Sequence, residues 1–354
     1  MKEVLQKYHH KSPFETESGY RFKELEIAYQ CWGTLNSDRS NVVLIFHALT
    51  GNTAADDWFS GFFTNESWID FDNQFVICAN VLGSCYGTTG PLSTNPETGK
   101  PYSGDFPEVS IRDMVRVQQL LLDHLNITGV ETVIGGSMGG MLGLEFCCMD
   151  DRAESAILIG MGKAHSPWAI GISHAQRQAI AADPKWNNGY YHPEEQPENG
   201  LATARMMAMI SYRCPENYED KFGRSVQDGS DPKVFEVESY LTYQGQKLVD
   251  RFDANTYVRL SRAMDLHDMA RGRGNMRKVL DEISIPVLMV GIDTDVLYPP
   301  KEQKELAKLL PNGSYRELRS RYGHDAFLLE FDVLNEIITS FYKQTQKDQT
   351  VTTD

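Results

Sequence analysis

Short apolar runs separated by amphipathic or polar segments fill the first part of the chain. Five of these runs predict strands, at residues 26–32, 42–49, 75–81, 132–134 and 156–159. Runs such as VVLIF are apolar at consecutive positions, which is typical of strands buried on both faces of a parallel sheet. Residues 110–126 predict a helix, because Ser110 suits an N-cap and apolar side chains follow it at helical spacing. The alternation predicts an α/β fold with an open, mostly parallel central sheet and helices on both faces.

The pattern changes after about residue 163. Segments such as HAQRQAIAADP and VESYLTYQGQKLVDRF predict helices joined by loops that contain Pro or Gly, and strand patterns are absent from this stretch. We therefore expect residues 164–282 to form an inserted helical lid domain. The sheet-forming core would then consist of two parts, residues 1–163 and 283–354.

Strand patterns resume near the end of the chain. Residues 285–292 (IPVLMVGI) predict a buried strand, and residues 314–318 predict a weaker one. A final helix is predicted over residues 326–342, with one apolar face for packing. The polar tail QTQKDQTVTTD is expected to fray.

Composition and charge exclude several classes of function. With 354 residues and 41% hydrophobic residues, the chain can bury a large core. Its formal net charge of −15 repels phosphate backbones and anionic lipids, so we expect neither nucleic-acid nor membrane binding. No run approaches the roughly 20 apolar residues of a membrane span, and the N-terminus lacks a secretory pattern. We expect a cytoplasmic protein. No His/Cys cluster has metal-ligand spacing, so no metal or redox cofactor is expected.

A candidate nucleophile lies between a predicted strand and a predicted helix. The sequence from Gly135 to Gly139, GGSMG, fits G-x-S-x-G, in which a sharp turn presents a strained serine with its hydroxyl exposed. Flanking glycines relieve crowding, and the helix N-terminus favours a developing negative charge. A phosphate-binding loop or a simple turn is the alternative, but the spacing does not fit G-x-G-x-x-G. We therefore predict Ser137 as the nucleophile of the first core part.

The second core part supplies candidates for the acid and the base. In enzymes with this type of serine, an acid and then a histidine follow along the chain. Asp293 and Asp295 both follow the strand at 285–292. Sequence geometry favours Asp295 as the acid but leaves Asp293 as an alternative, and whichever of the two is not the acid is expected to cap a turn. His324 lies on a loop before the last helix, where a base is expected.

The stabilisation of an oxyanion requires two backbone N–H donors. One donor is expected from Met138, directly after the nucleophile. The other is expected from the loop HALTG after an early strand, with Leu49 as the candidate. His47 in the same loop is then interpreted as a structural residue and not as a second base.

Taken together, these residues resemble the homoserine O-acetyltransferase family of methionine biosynthesis, which has the α/β-hydrolase fold. The resemblance spans about residues 14 to 341. It is carried by HALTG (47–51), NVLGSCYGTTGP (80–91), NPETGKPYSGDFP (95–107), GGSMGGM (135–141), GLATARM (200–206), TDVLYPP (294–300) and YGHDAFL (322–328). The loop at 80–91 is far more specific than the G-x-S-x-G motif alone.

The resemblance implies roles for individual residues. It implies a catalytic triad of Ser137, Asp295 and His324, and so selects Asp295 over Asp293. It also implies that Arg205 binds the carboxylate of an amino-acid acceptor and that Asp325 binds its ammonium group. A guanidinium fork suits a carboxylate. Without the resemblance, Arg205 would be interpreted as an exposed helix residue and Asp325 as a carboxylate at a helix N-terminus.

The implied activity is acetyl transfer from acetyl-CoA to the hydroxyl of L-homoserine by a ping-pong mechanism, with acetyl-CoA as a co-substrate and no bound cofactor. A homodimer through the helical insertion is also implied. The chain departs from the common family pattern at Ser84, Ser103, Leu142 and Phe146, which leaves the acyl donor open. Alternatives are a succinyl-CoA-dependent homoserine or serine O-succinyltransferase, and an esterase or thioesterase of the same fold. A non-catalytic receptor is disfavoured, because the triad is intact.

Overall fold

Within residues 4–229 and 232–351, which the computed structural model describes, eight strands form one sheet and two form a small antiparallel hairpin. The strands are β1 (Gln6–His10), β2 (Phe14–Glu15), β3 (Arg21–Phe22), β4 (Leu25–Gly33), β5 (Val42–Phe46), β6 (Phe75–Ala79), β7 (Val130–Gly136), β8 (Ala156–Ile159), β9 (Val287–Ile292) and β10 (Gly313–Leu318). The sheet order is β1-β4-β6-β5-β7-β8-β9-β10. Only β4 pairs antiparallel, with β1 and β6, so the predicted mostly parallel sheet is confirmed.

Helices surround the sheet and also fill the long stretch between β8 and β9. They are α1 (Ala55–Trp58), α2 (Ile111–His124), α3 (Met138–Met149), α4 (Pro167–Ala182), α5 (Glu198–Ser211), α6 (Pro215–Phe222), α7 (Glu236–Val249), α8 (Ala254–Asp265), α9 (Met276–Asp281), α10 (Pro300–Leu309) and α11 (Phe331–Val351). Helices α4 to α9 lie within the predicted insertion. The division of the chain into domains stays a prediction. None of the helices in the described part of the chain has the length and apolar character that a membrane span requires.

The sheet is buried on both faces, as the consecutive apolar runs predict. In β5, Val42, Leu44 and Phe46 belong to the core on one face. Val43 and Ile45 belong to the core on the other face. The first core also contains side chains of α2, α3, α10 and the inserted helices, whereas the second contains those of α1 and α11. Successive strand residues point to opposite faces, so a strand covered on both sides must be apolar throughout.

Helix α2 begins where its cap residue predicts. The Ser110 hydroxyl accepts a hydrogen bond from the Asp113 N–H at 3.1 Å, and the Asp113 carboxylate accepts one from the Ser110 N–H at 3.0 Å. This capping box satisfies two N–H groups that the first turn leaves unpaired.

The end of the chain differs from the prediction. Residues Gly323–Leu328 form a 3₁₀ turn, and the final helix runs over Phe331–Val351, not 326–342. The apolar pattern extends into the turn because Ala326 and Phe327 are buried against the sheet, although their backbone is not α-helical. The helix continues into the polar tail as far as Val351, and the expected fraying of this tail stays a prediction. Residues 352–354 lie outside the described residues.

Candidate active site

Ser137 occupies the sharp turn between β7 and α3. Its backbone has φ 57° and ψ −125°, a left-handed conformation that a side chain other than glycine adopts only under strain. The turn is also crowded. A Cβ atom on Gly135 would lie 2.3 Å from the Gly139 carbonyl oxygen, and one on Gly139 would lie 2.1 Å from the Phe46 carbonyl oxygen. The tight turn that holds Ser137 in its strained conformation therefore requires glycine at positions 135 and 139.

The predicted exposure of Ser137 was wrong. The residue is only 6% exposed. Segments that follow several strands converge around the turn: its N–H donates to the carbonyl of Ile159 at the end of β8, and Gly136 faces the ring of Phe327 after β10. The nucleophile candidate is thus largely covered by the segments around it.

His324 and Asp295 form a buried hydrogen-bonded pair. The distance from His324 Nδ1 to Asp295 Oδ2 is 2.7 Å. The other carboxylate oxygen, Oδ1, accepts from the N–H groups of Leu297 at 2.8 Å and Tyr298 at 2.9 Å. Because the carboxylate only accepts, the Nδ1 atom carries the proton and Nε2 is left as the basic nitrogen.

Asp293, the alternative acid, has a different role. It is exposed, and it accepts a hydrogen bond from the Ser320 N–H at 2.9 Å. It therefore joins the loop after β9 to the loop after β10 and does not contact the imidazole. Of the two acids that the sequence leaves open, the geometry brings only Asp295 to His324.

The pKa of His324 lies above its ordinary value. Burial alone would lower this pKa, but the negative charge of Asp295, the hydrogen bond to it and the charge of Asp325 together raise it. The imidazolium that forms when the base takes a proton is therefore stabilised. This is the property required of a histidine that accepts a serine proton and later returns it.

Three aromatic rings surround the imidazole of His324. The ring centroids of Tyr298, Phe327 and Tyr212 lie 5.3, 5.5 and 5.6 Å from it. Gly160 closes a further side, since a Cβ atom there would lie 3.3 Å from the imidazole Cε1 atom. These contacts fix the plane of the ring.

Ser137 and His324 share close neighbours. The Ser137 N–H binds the carbonyl of Ile159, and the next residue, Gly160, lies against the His324 imidazole. Gly136, which precedes Ser137, faces Phe327, one of the three rings around that imidazole. Within the described part of the chain, neither Ser137 Oγ nor His324 Nε2 has a hydrogen-bond partner, and neither is a fully buried polar atom. No hydrogen bond therefore joins Ser137 Oγ to His324 Nε2 here, and each atom is open to a substrate.

The two candidate oxyanion donors lie near the same turn. Met138 is the first residue of α3, where the backbone N–H has no acceptor inside the helix. Leu49 follows β5, and the carbonyl of Phe46 at the end of β5 lies against Gly139. Among the described residues, no acceptor for the Leu49 N–H is found. Two N–H groups at this position suit an oxyanion.

His47 holds the loop that carries Leu49. Its Nδ1 atom donates to the Ala48 carbonyl at 2.8 Å, and its Nε2 atom accepts from the Val81 N–H at 3.2 Å. Complete burial lowers the pKa of His47 to about 4, so the ring is neutral near pH 7. Both ring nitrogens are occupied by backbone groups, as expected for a structural histidine.

The two predicted acceptor-binding residues lie close to the His324–Asp295 pair. The guanidinium of Arg205 lies 5.5 Å from the ring centroid of Tyr212, which itself packs on His324. Asp325 follows His324, and its N–H donates to the Tyr212 carbonyl at 3.1 Å. Burial raises the pKa of Asp325, although the charges of Arg213 and Arg205 oppose this shift.

Arg213 is a site residue that the sequence reasoning missed. Its Nη2 atom lies 3.1 Å from Asp325 Oδ2, so the predicted ammonium-binding carboxylate already has a cationic partner. Arg213 lies in the short connection between α5 and α6, two residues beyond the end of α5, and no local sequence pattern marks it. Tyr212 was missed because a single tyrosine in a helical pattern is usually core.

Comparisons with known proteins agree with this geometry. A family model described as the alpha/beta hydrolase fold matches residues 41–331. A homoserine O-acetyltransferase of Chlorobium chlorochromatii is 51% identical over 340 residues, which are 96% of this chain and 95% of that protein. The chain belongs to the homoserine O-acetyltransferase family. A further homoserine O-acetyltransferase, from Trichormus variabilis, is 49% identical over 96% of this chain and 94% of its own length.

Solved structures place this member of the homoserine O-acetyltransferase family among both transferases and esterases. The homoserine O-acetyltransferase of Bacillus anthracis has 27% sequence identity and a TM-score of 0.87, covering 96% of this chain and 97% of that one. Esterase E22 has 26% identity and a TM-score of 0.83, covering 96% and 100%. The predicted α/β-hydrolase fold is confirmed. Because both kinds of enzyme share it, the fold alone does not separate transfer from hydrolysis.

Proposed function

We propose that this chain transfers an acetyl group from acetyl-CoA to the γ-hydroxyl of L-homoserine, giving O-acetyl-L-homoserine for methionine biosynthesis in the cytoplasm. The observation that carries the proposal is the buried His324–Asp295 pair beside the strained Ser137, in a chain about half identical to homoserine O-acetyltransferases. No metal or redox cofactor takes part in the proposed reaction.

The first half-reaction forms an acetyl-enzyme. Ser137 Oγ attacks the thioester carbonyl carbon while its proton passes to His324 Nε2, and Asp295 stabilises the imidazolium. The N–H groups of Leu49 and Met138 hold the oxyanion. When the tetrahedral intermediate collapses, the carbon–sulfur bond breaks and CoA leaves with the proton that His324 had accepted.

The second half-reaction transfers the acetyl group. The γ-hydroxyl of L-homoserine loses its proton to His324 and attacks the acetyl-serine carbonyl, and the serine oxygen leaves with the same proton. The acceptor is held by its charged ends. Arg205 binds the α-carboxylate, and Asp325 binds the α-ammonium and shares its carboxylate with Arg213. The order of the two half-reactions makes the kinetics ping-pong.

The burial of Ser137 favours transfer over hydrolysis. An acetyl group on this largely buried serine is shielded from bulk solvent, which favours its survival until an alcohol with the correct charges arrives. The likeness to esterase E22 keeps an acetyl-ester hydrolase as the second candidate. A hydrolase, however, has no need of opposite charges such as Arg205 and Asp325 beside the base.

A thiol-release assay tests the function. Acetyl-CoA and succinyl-CoA are each combined with L-homoserine and with L-serine, and free CoA is followed with a thiol reagent. We expect release only with acetyl-CoA and L-homoserine together. Activity only with succinyl-CoA would overturn the donor, and release without an acceptor would support the hydrolase. A Ser137→Ala variant should form no acetyl-enzyme detectable by mass spectrometry.

The resemblance also implies a homodimer, and an apolar groove on the helical insertion supports it. This groove, with a volume of about 840 Å³, is lined by side chains that include Trp168, Ile172, Met207, Ile210, Leu241 and Val296. Trp168 is 60% exposed and Ile210 is 56% exposed, which is unusual for a surface that stays open to water.

We expect Ile210→Glu to convert the dimer into a monomer in size-exclusion chromatography with light scattering. Tyr243→Glu is the control, because Tyr243 is similarly exposed but does not line the groove. A monomeric wild-type protein would refute the dimer.

A further inference from the structure

A second set of buried polar side chains lies directly behind the catalytic pair. The Tyr298 hydroxyl is 3.0 Å from His165 Nε2, and His165 Nδ1 is 3.1 Å from Asp265 Oδ1. The guanidinium of Arg177 donates to the other oxygen of Asp265. We refer to these four residues as the Tyr298 network. The proposed reaction uses none of them.

The proton positions in the Tyr298 network follow from its end groups. Asp265 is bound by Arg177 and only accepts, so His165 donates through Nδ1, and in the neutral imidazole Nε2 keeps a lone pair. The Tyr298 hydroxyl then donates to that lone pair. Burial raises the pKa of Tyr298 well above its ordinary value, so the hydroxyl keeps the proton that this bond requires.

Tyr298 touches both members of the catalytic pair. Its backbone N–H donates to Asp295 Oδ1 at 2.9 Å, and its ring lies 5.3 Å from the imidazole of His324. The hydroxyl at the far end of the ring is held by His165. The side chain is therefore fixed at both ends, and any displacement of its ring would move a wall of the pocket that orients His324.

The other members of the Tyr298 network come from the helical insertion. His165 precedes α4, Arg177 lies within α4, and Asp265 is the last residue of α8. Burying a charged group such as Asp265 costs several kcal/mol unless it is well paired, and apolar residues could fill the same space at no such cost. A polar network in which the groups are paired keeps its hydrogen bonds in only one arrangement of the side chains. It therefore fixes the positions of those side chains more narrowly than apolar packing would.

We propose that the Tyr298 network positions the His324–Asp295 pair, so that the packing of the inserted helices α4 and α8 determines where the catalytic imidazole lies. Tyr298 and His165 are positioning residues, since neither is assigned a contact with substrate. The inference rests on the proposed roles of Ser137, His324 and Asp295. It predicts effects on the rate of acylation and not on the binding of the acceptor.

The first test is Tyr298→Phe, which removes one oxygen and keeps the ring. Acylation is measured as the burst of p-nitrophenolate from p-nitrophenyl acetate, which requires neither CoA nor L-homoserine. We expect the burst rate to fall between about tenfold and 100-fold, as when a catalytic group is misplaced by up to about 1 Å. Because His324 serves both half-reactions, kcat of the full reaction should fall together with the burst rate, while the KM for L-homoserine stays near its wild-type value.

The second test compares two substitutions of His165. Glutamine is long enough to accept the Tyr298 hydroxyl in place of Nε2, whereas asparagine reaches only as far as Nδ1. We expect His165→Gln to retain more acylation activity than His165→Asn. His267→Asn is the control: His267 is also buried, and its Nε2 atom has no partner in the described part of the chain. It should lose stability without slowing acylation.

A proton NMR measurement separates positioning from a merely structural role. The Nδ1 proton that His324 shares with Asp295 should give a far-downfield signal in the wild-type protein, and this signal should shift or broaden in Tyr298→Phe. If Tyr298→Phe and His165→Asn lower only the melting temperature, and leave burst rate and signal unchanged, the inference is wrong. If the wild-type protein forms no Ser137-dependent acetyl-enzyme with acetyl-CoA, the proposed function itself fails.

Discussion

The substitution Asp295→Asn tests the orientation of the catalytic histidine most directly. Asp295 Oδ1 accepts from two backbone N–H groups, at 2.8 and 2.9 Å, while Oδ2 faces His324 Nδ1 at 2.7 Å. An asparagine carbonyl must keep the two backbone donors, because an NH₂ group there would face two other donors. The NH₂ group of the new side chain is therefore forced towards His324.

The consequence is the wrong tautomer of the histidine. Facing an NH₂ donor, Nδ1 becomes an acceptor, and the single proton of the neutral imidazole moves to Nε2. His324 then has no lone pair for the proton of Ser137. Loss of the correct tautomer in a serine triad lowers kcat by about 10⁴-fold, which is about 5.4 kcal/mol of transition-state stabilisation.

The assay is CoA release from acetyl-CoA with saturating L-homoserine. Asp293→Asn is the matched control, since Asp293 lies two residues away, is exposed and accepts only from the Ser320 N–H. We expect this control to stay near the wild-type rate, because single exposed hydrogen bonds contribute about 1 kcal/mol to stability and nothing to the proton transfer. An Asp295→Asn rate within tenfold of wild type, or a larger loss in Asp293→Asn, would refute the assignment.

Three further predictions concern the same pocket. The value of kcat/KM for acetyl-CoA should fall as the pH drops through the pKa of His324, which is raised above the ordinary 6.5, because only the neutral imidazole accepts a proton. Asp325→Asn removes one of the charges that raise this pKa, so the acid limb of the pH–rate profile should move to lower pH. Gly136→Ala places a Cβ atom 2.6 Å from the phenyl ring of Phe327 in the 3₁₀ turn and should destabilise the protein by about 1–3 kcal/mol in urea unfolding. Arg205→Met should raise the KM for L-homoserine at least tenfold while leaving the p-nitrophenyl acetate burst intact, and a slower burst would place Arg205 in the chemistry instead.

The parts of the fold that could be predicted are those set by local patterns. Strand β8 was predicted with its observed bounds, because four consecutive apolar residues fill a strand covered on both faces. The predicted strand at 42–49 ended three residues late, since Phe46 is followed by the apolar loop residues Ala48 and Leu49. Strand β1 was missed altogether. Its sequence, QKYHH, is polar because it lies at the sheet edge, and only its backbone pairing with β4 makes it a strand.

The triad candidates could be predicted for a similar reason. Ser137 is flanked by glycines in the sequence, Asp295 follows an apolar run, and His324 follows a glycine and precedes an apolar segment. The exposure of Ser137 could not be judged, because the segments that cover it come from the ends of other strands. Burial is a property of the assembled fold, whereas the turn that strains the serine is determined by five consecutive residues.

The residues that the sequence could not identify all act through contacts between distant segments. His165 and Tyr298 are 133 positions apart, and His165 and Asp265 are 100 apart, yet both pairs are joined by hydrogen bonds. Nothing in the neighbouring sequence distinguishes His165 from a histidine at a helix cap. A reactive group needs a local backbone geometry, and that geometry leaves a motif. A residue that orients a reactive group needs only to pack against that group in the folded protein, and many different local sequences can place such a residue there. The supporting residues of this site therefore become visible only when the sheet and the inserted helices are seen together, and their substitution is the sharper test of whether the insertion takes part in catalysis.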